Sequence, residues 1–489
     1  MKQWLTMLVC CMMLLSLTAC GGKETVSEPD DFNDFSIAES DPQLSSSTSQ
    51  SDKGSKTTKP VTTKGNGSVK NDVSIADGDT KLEDSLNLKG KTVYISCGIS
   101  DETTRIKKAF EKKYGCTVEM LSLDFDKILQ QIAARNAAGD PLDVFNLHGS
   151  KFPTAAISNL LEPLQKGLTT ADYYNASNKA AGGIDMERSS FFEWNNNLYA
   201  VVNHTGLNSV VGGAIFYNKK MLQTAGCDDP RTLYNEGKWN WEAMRTIGKK
   251  VTDSSKGIYL GKAQLVLNNM VSANGATYVL FNNGSPKENL SDQKIFNALT
   301  VLKNMCNGTD KIIDIDDYSS DGKSFYQGKI AFFTAAKYNY YNNFKIAEGV
   351  LGSNAFGKSL DNLGIVPFPQ GPDNASGVSG IGPWAEGWAA AKGTKDVRVT
   401  VAWAKFCSTY NDPVKPKYTF KPEDEALFTA MEDKTTQFRY FGFADSTKTV
   451  SDYIRKLEEN VAYGGDVAQN LKDYSKIISN CIKITLSQQ

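Results

Sequence analysis

From residue 91 onward the chain alternates short β-branched runs with amphipathic segments, and that alternation leaves few folds open to it. Residues 91–97 carry Val93, Tyr94 and Ile95 and read as a strand. The stretch from Asp101 to Tyr114 has Ile106, Ala109, Phe110 and Tyr114 at the spacing of one helix face, with Gly115 to stop it. Residues 117–123 read as a second strand. A second helix carries Phe125, Ile128, Leu129, Ile132 and Ala133 on one face and ends at Gly139-Asp140-Pro141. Residues 143–147 form a third strand. Such repeats specify an α/β architecture with a right-handed, doubly wound parallel sheet. Ligands of these sheets sit beyond the carboxyl ends of the strands. That puts residues 98–102 and 146–151 at a site, and with them Asp101, Asn146 and His148.

The chain ahead of this sheet is of another kind. After Met1 and Lys2, residues 4–15 are almost entirely apolar, and Leu17-Thr18-Ala19-Cys20 follows. The run is too short for a membrane span, which needs about 20 apolar residues, and reads as a secretory signal over residues 1–19. The small residues before Cys20 resemble the bacterial lipobox, whose cysteine thiol is diacylated. Two acyl chains anchor stably where one is marginal. Residues 20–88 are rich in Ser, Thr, Asp, Lys and Gly and cannot bury enough apolar area to offset ordering. They read as a disordered tether. A coil of ~65 residues reaches roughly 40–50 Å in root-mean-square terms.

The length of 489 residues suggests two to three domains, and a net charge of -1 leaves no basic footprint for nucleic acid. Cys97, Cys116, Cys227, Cys306, Cys407 and Cys481 contain no C-x-x-C pair and read as buried free thiols. The two histidines, His148 and His204, do not make a closed zinc site. Residues 352–359 satisfy a P-loop pattern, but Gly364 and Pro367 follow where a helix would be needed, so the match is a coincidence. Asp317 to Gly322 resembles half of a calcium loop, yet Gly328 stands where the bidentate acid belongs. Asp314, Asp316 and Asp317 read as a solvated turn. No G-x-S-x-G elbow is present; the nearest approach, at Ser379, lacks its last glycine. No metal and no cofactor are expected.

A series of motifs, in order along the chain, carries a family resemblance. They are Phe110-Glu-Lys-Lys-Tyr-Gly-Cys-Thr-Val118, Ala137-Ala-Gly-Asp-Pro-Leu-Asp143 and Leu160-Leu-Glu-Pro-Leu164, then Gly213-Ala-Ile-Phe-Tyr-Asn-Lys219 and Gly237-Lys-Trp-Asn-Trp-Glu242. Phe325-Tyr-Gln-Gly-Lys-Ile-Ala331 and Gly364-Ile-Val-Pro-Phe-Pro369 complete the series. Together they resemble family 1 extracellular solute-binding proteins, which include the maltodextrin- and oligosaccharide-binding receptors. The resemblance implies a type II, two-lobed periplasmic-binding-protein-like fold. Lobe 1 would take residues 89–208 and 366–412, and lobe 2 residues 209–365 and 413–489. It also implies a lipid-anchored monomer outside the cytoplasm that captures a carbohydrate between its lobes and hands it to the transmembrane subunits of an ABC permease. Two alternatives remain open, a secreted carbohydrate-active enzyme and a binding protein that feeds a membrane sensor kinase.

Aromatics are the informative residues for such a ligand, because sugar rings present apolar C–H faces that aromatic planes cover while polar side chains hold the hydroxyls. The resemblance places Tyr338 and Tyr340 just past the strand where relatives put a stacking aromatic. Trp384 and Glu386 fall in a Gly/Pro-bracketed loop, where the segment Gly382-Pro-Trp-Ala-Glu-Gly-Trp388 departs from the family's small, polar one. Asn203 and His204 end a strand that the family fold turns toward the cleft, as it does His148. Trp239 and Trp241 sit at a helix start and read as structural; Tyr341 and Trp388 stand between core and site.

Overall fold

The structure is a computed structural model that describes residues 75, 85–173, 183–204, 211–282, 285–317, 322–336, 360–374, 381–384, 386–414, 421–432, 442–445 and 448–488. All of these lie in one compact unit, Phe35–Gln489. Cys20, Tyr338, Tyr340, Tyr341, Ser379 and the P-loop-like residues 352–359 fall outside the described residues.

The main elements, in chain order, are β1 (Thr92–Ser96), α1 (Asp101–Tyr114), β2 (Thr117–Leu121), α2 (Ile128–Ala137), β3 (Val144–His148), β4 (Ala200–Asn203) and β5 (Val211–Asn218). Then come α3 (Trp241–Val251), α4 (Gln293–Cys306), β6 (Phe332–Ala336), β7 (Leu363–Val366), β8 (Ile381–Trp384) and β9 (Glu386–Ala391). The chain closes with α5 (Arg398–Thr409), α6 (Pro422–Glu432), α7 (Val450–Ala462) and α8 (Val467–Leu486).

Local chemistry sets α1. The Ser100 hydroxyl accepts the N–H of Thr103 while the Thr103 hydroxyl accepts that of Ser100, and Gly115 ends the helix at φ 66°, where glycine meets no steric cost. The second helix begins later than its apolar spacing suggests. Asp124 accepts the N–H groups of Asp126 and Lys127, so the chain turns first and α2 starts at Ile128. Phe125 is thereby left off the helix face that the sequence assigns to it.

The first sheet has the order β2-β1-β3-β9-β4, extended by the short strand Ile184–Asp185. Only β1, β2 and β3 are parallel; β9 runs antiparallel to both β3 and β4. The all-parallel sheet expected from the opening repeats is therefore mixed. The cause is the direction of entry: β9 arrives from the other sheet at the carboxyl ends of the parallel strands and has to run back. All six of its residues are buried. Trp388 is fully buried and meets Trp403 of α5 edge-on at 6.0 Å, which settles it as core. Leu88 is buried in the same core, and Leu86 and Ile75 pack against it, so the chain joins this lobe before residue 88.

The second sheet is built around β5, with β6, β7 and β8 all antiparallel to it. Because β7 and β8 both pair with β5, the chain stays on this sheet through Trp384 and reaches the first sheet at Glu386, later than the boundary expected near 366. Trp384 lies in a strand instead of a loop. Trp239 and Trp241 are structural, their indole N–H groups donating to the carbonyls of Pro367 (2.8 Å) and Pro369 (3.0 Å). Phe428 of α6 meets Phe216 of β5 edge-on at 6.5 Å. Beyond α6, residues 442–445 lie against the first lobe: the Gly442 N–H donates to the Phe152 carbonyl at 3.2 Å and Phe443 packs edge-on with Trp194 at 6.1 Å. Helices α7 and α8 follow, packed on α4. The six cysteines are free, four of them buried, with Cys116 and Cys227 half-buried.

One buried carboxyl in the second lobe has a measurable consequence. Glu458 of α7 is 1% exposed; it accepts the Tyr278 hydroxyl at 2.6 Å and the Asn268 N–H at 2.5 Å. Burial pushes its pKa up from 4.5 to about 7. A carboxyl that holds its proton more tightly when folded stabilises the fold at low pH, and that contribution is lost as pH rises from about 4.5 to about 7. Glu458→Gln should remove this slope, so that above pH 7 the variant is the more stable by an amount on the order of 2–3 kcal/mol. Chemical denaturation across that range decides it; parallel curves for the two proteins would contradict the assignment.

Candidate ligand-binding cleft

The register between β3 and β9 assembles the first cluster. Glu386 lies opposite His148 and Trp388 opposite Asn146, so all four side chains share one face of the sheet. Trp388 fills the core end of that face, while Glu386 and His148 stand at its edge, where the chain crosses between sheets. Glu386 is only 4% exposed, and its carboxylate accepts the Asn146 amide at 2.8 Å. Burial raises its pKa, and the Asn146 hydrogen bond opposes that shift. No cation reaches it within ion-pairing distance among the described residues. A carboxylate held this way keeps acceptor capacity for a hydroxyl.

His148 accepts the N–H of Ser150 at 3.1 Å through Nδ1, and the same nitrogen lies 2.7 Å from the Ser150 hydroxyl. This turn also caps the short helical turn Gly149–Lys151. Burial pushes the His148 pKa down to about 4, with the neighbouring Lys151 charge acting in the same direction. The imidazole is thus neutral at ordinary pH, and with Nδ1 accepting from Ser150 it is Nε2 that carries the proton and donates.

His204 follows β4, and its Nδ1 lies 3.3 Å from Asp185, on the neighbouring short strand. Asp185 also caps the turn Met186–Ser189 through the N–H of Arg188, at 2.9 Å. Burial alone would raise the Asp185 pKa; the His204 contact and Arg188 outweigh it and bring it down. Asn203 is fully buried in the ladder opposite Ile184. Asp101 is exposed in the first turn of α1, beyond the carboxyl end of β1. Asn146, His148 and Glu386 are therefore brought together. Asn203 and His204 form a separate pair at the Ile184–Asp185 edge, and Asp101 stands apart at the end of β1.

Phe125 is the residue that helix periodicity misassigns. It is 45% exposed in the turn after β2, its ring is edge-on to His148 at 5.2 Å, and the Lys151 ammonium lies 4.6 Å from its centroid. Ile99, 55% exposed, occupies the equivalent turn after β1. Large apolar side chains left bare at the carboxyl edge of parallel strands mark a surface that something else covers. The signal in the sequence was Asp124-Phe125-Asp126, since an aromatic between two acids does not belong to a core-facing helix turn.

Among the described residues no three His, Cys, Asp or Glu converge as a metal site, and no helix is long and apolar enough to cross a membrane. Asp317, from the calcium-like stretch, accepts the Lys262 ammonium and the Ser324 hydroxyl, both at 2.9 Å.

Comparison with known proteins places this architecture. Residues 100–409 match the family described as bacterial extracellular solute-binding protein, and the chain belongs to that family. The comparison with curated proteins found no match. Among solved structures, an ABC substrate-binding protein from Listeria monocytogenes in complex with cycloalternan is similar, with 17% identity and a TM-score of 0.59 over 81% of this chain and 100% of that one. The extracellular solute-binding protein from Staphylococcus aureus in complex with maltose matches with 15% identity and a TM-score of 0.57 over 81% and 99%. The galacto-N-biose/lacto-N-biose I-binding protein of Bifidobacterium longum matches with 13% identity and a TM-score of 0.58 over 82% and 99%. These likenesses establish the two-lobed fold.

With only two histidines in the chain, His148 can be followed directly. Its imidazole nitrogen resonances should keep neutral shifts from pH 8 down to 5 and move only near pH 4. The signal missing in His148→Gln makes the assignment, and a midpoint at or above pH 6 would show that the ring is solvated instead of enclosed.

Proposed function

We propose that this protein is the receptor of an ABC importer that captures a carbohydrate, an oligosaccharide above all, between its lobes and delivers it to a membrane permease. The observation that carries the reading is the cluster of Phe125, His148, Asn146 and Glu386 at the carboxyl edge of the first lobe, where β9 begins. A bare aromatic ring next to a buried carboxylate, an amide and a neutral imidazole is the chemistry that holds a polyhydroxylated ring. The solved neighbours in complex with cycloalternan and maltose support the same ligand class. Tyr338, Tyr340, Trp384, Asn203, His204 and Asp101 would complete the cleft. Closure of one lobe on the other would bury the ligand. In this reading lobe 1 takes residues 89–204 and 386–412, and Cys20 carries the lipid that keeps the receptor, a monomer, on the outer face of the membrane. No chemistry is assigned to the chain.

A thermal-shift panel of mono- and oligosaccharides tests the central statement, since ligand at 100 Kd adds about 2.7 kcal/mol of stability. Saturable binding with the glycan recovered unchanged supports the receptor; released product would favour the carbohydrate-active enzyme. On the ligand so found, Phe125→Ala and Trp384→Ala should each weaken binding about thirtyfold, about 2 kcal/mol, with little change in ligand-free melting. If Trp384→Ala melts much earlier yet binds normally, that tryptophan packs the fold and does not line the cleft. For the anchor, Cys20→Ala should abolish incorporation of labelled fatty acid, and label retained in the variant would end the lipoprotein reading.

A further inference from the structure

The end of the first lobe away from the cleft carries unpaired positive charge where the chain from Cys20 enters. Ser85 is held there by the Arg398 guanidinium at 2.7 Å, and the Gly90 N–H donates to the Gly115 carbonyl at 2.9 Å. Lys89 and Lys91 precede β1, and Lys112 and Lys113 occupy the last turn of α1, which Gly115 closes. The Gly90–Gly115 bond brings the two pairs side by side; a Cβ on Gly115 would stand 3.6 Å from the Lys89 side chain. Lys395 joins them, since Thr394 donates to the Leu142 carbonyl and Lys395 acts on Asp143, just ahead of β3. All five lysines are exposed, and none has an ion-pair partner among the described residues. Three nearby acids among the described residues are already engaged: Glu111 by Lys107 at 2.9 Å, Asp140 by Arg135 at 2.5 Å and Asp396 by Arg398 at 2.6 Å.

We infer that this lysine face is a docking surface for the anionic lipid headgroups of the membrane on which the protein is anchored. The inference rests on the lipid anchor proposed above, and two features select the lipid surface as occupant. Ser85, the start of the continuous fold, lies at this face, so a tether of roughly 40–50 Å reach holds the face close to the bilayer. Its charge is also complementary to acidic phospholipids, near which each lysine is worth about 1 kcal/mol, roughly fivefold in partitioning. Docked this way, the receptor holds the carboxyl edge of its strands open to the medium for capture, and it has to leave the lipid surface to present the cleft to a permease.

Among the described residues every buried apolar one lies between Leu88 and Ile482, so a chain of residues 21–489, free of signal and acyl group, keeps that fold and serves for the test. It should sediment with phosphatidylglycerol-containing vesicles, not with pure phosphatidylcholine, and be released as salt shortens the Debye length. Joint substitution Lys89→Ser, Lys91→Ser, Lys112→Ser and Lys113→Ser should reduce binding at low salt tenfold or more at unchanged melting temperature. Arginine at the same four positions should restore it. Binding that survives the serine substitutions, or that is equal on neutral vesicles, overturns the surface. Preference for a soluble polyphosphate over the vesicles would overturn it in favour of a wall polymer. Because this chain carries no acyl group, a failed fatty-acid label on the native protein would count against the anchor alone.

Discussion

The ladder between β9 and β3 is the interaction on which the rest of the molecule depends. It completes the first sheet with a strand that arrives only after the chain has built most of the second. Until Glu386 to Ala391 are in place, the faces of β3 and β4 that they cover are open and Trp388 is missing from the core against Trp403. The lobes are therefore not successive beads on a chain; each is closed by sequence that has passed through the other. Contacts this distant in sequence are entropically costly to form first, which favours slow, cooperative assembly over independent folding of two halves. The same register sets Glu386 against His148 and Asn146. A slip of one residue would turn Glu386 to the opposite face and Trp388 out of its core.

This arrangement explains why a carboxylate can sit almost fully buried beside a single amide. Removing a charge from water without a counter-charge is expensive, and the raised pKa of Glu386 registers that cost. The position is tolerated because the ladder to β3 holds Glu386 against His148, and the strand beyond it is also paired with β4 at Trp388 and Ala389. Desolvation of this kind is sustained by the packing around it. The hydroxyls of a bound ligand would supply donors to the acceptor positions that Asn146 leaves over.

What the sequence disclosed, and what it hid, follows the reach of the forces involved. The strand and helix up to Gly115 were legible almost to the residue, because a cap, an amphipathic face and a glycine stop act over a few positions. The family motifs carried the two-lobed fold. The direction of β9, its late start at Glu386 and the strand state of Trp384 were not legible, because each depends on pairing with residues far away in sequence. Phe125 was hidden for the opposite reason. Its spacing fits the helix that follows, and only the Asp124 turn, a local hydrogen bond, removes it from that face. Asn146 and His148 could be placed by the rule for carboxyl ends of parallel strands, but their meeting with Glu386 could not.

The direction of the parallel strands also decides where the two ends of the receptor's task lie. With the carboxyl ends of β1, β2 and β3 at the ligand edge, their amino ends must face the other way. The continuous described chain enters ahead of β1, so Ser85 and Lys89 lie at the opposite end of the strands from the turns that carry Ile99 and Phe125. The same polarity brings the end of α1 to that face, since a helix joining parallel strands has to run back along the sheet. A helix carboxyl end favours lysines such as Lys112 and Lys113 for reasons of its own dipole. Lys89, Lys91 and Lys395 lie outside any helix end, and the dipole gives no account of them. Their gathering beside the end of α1 gives this face more positive charge than a helix terminus alone accounts for.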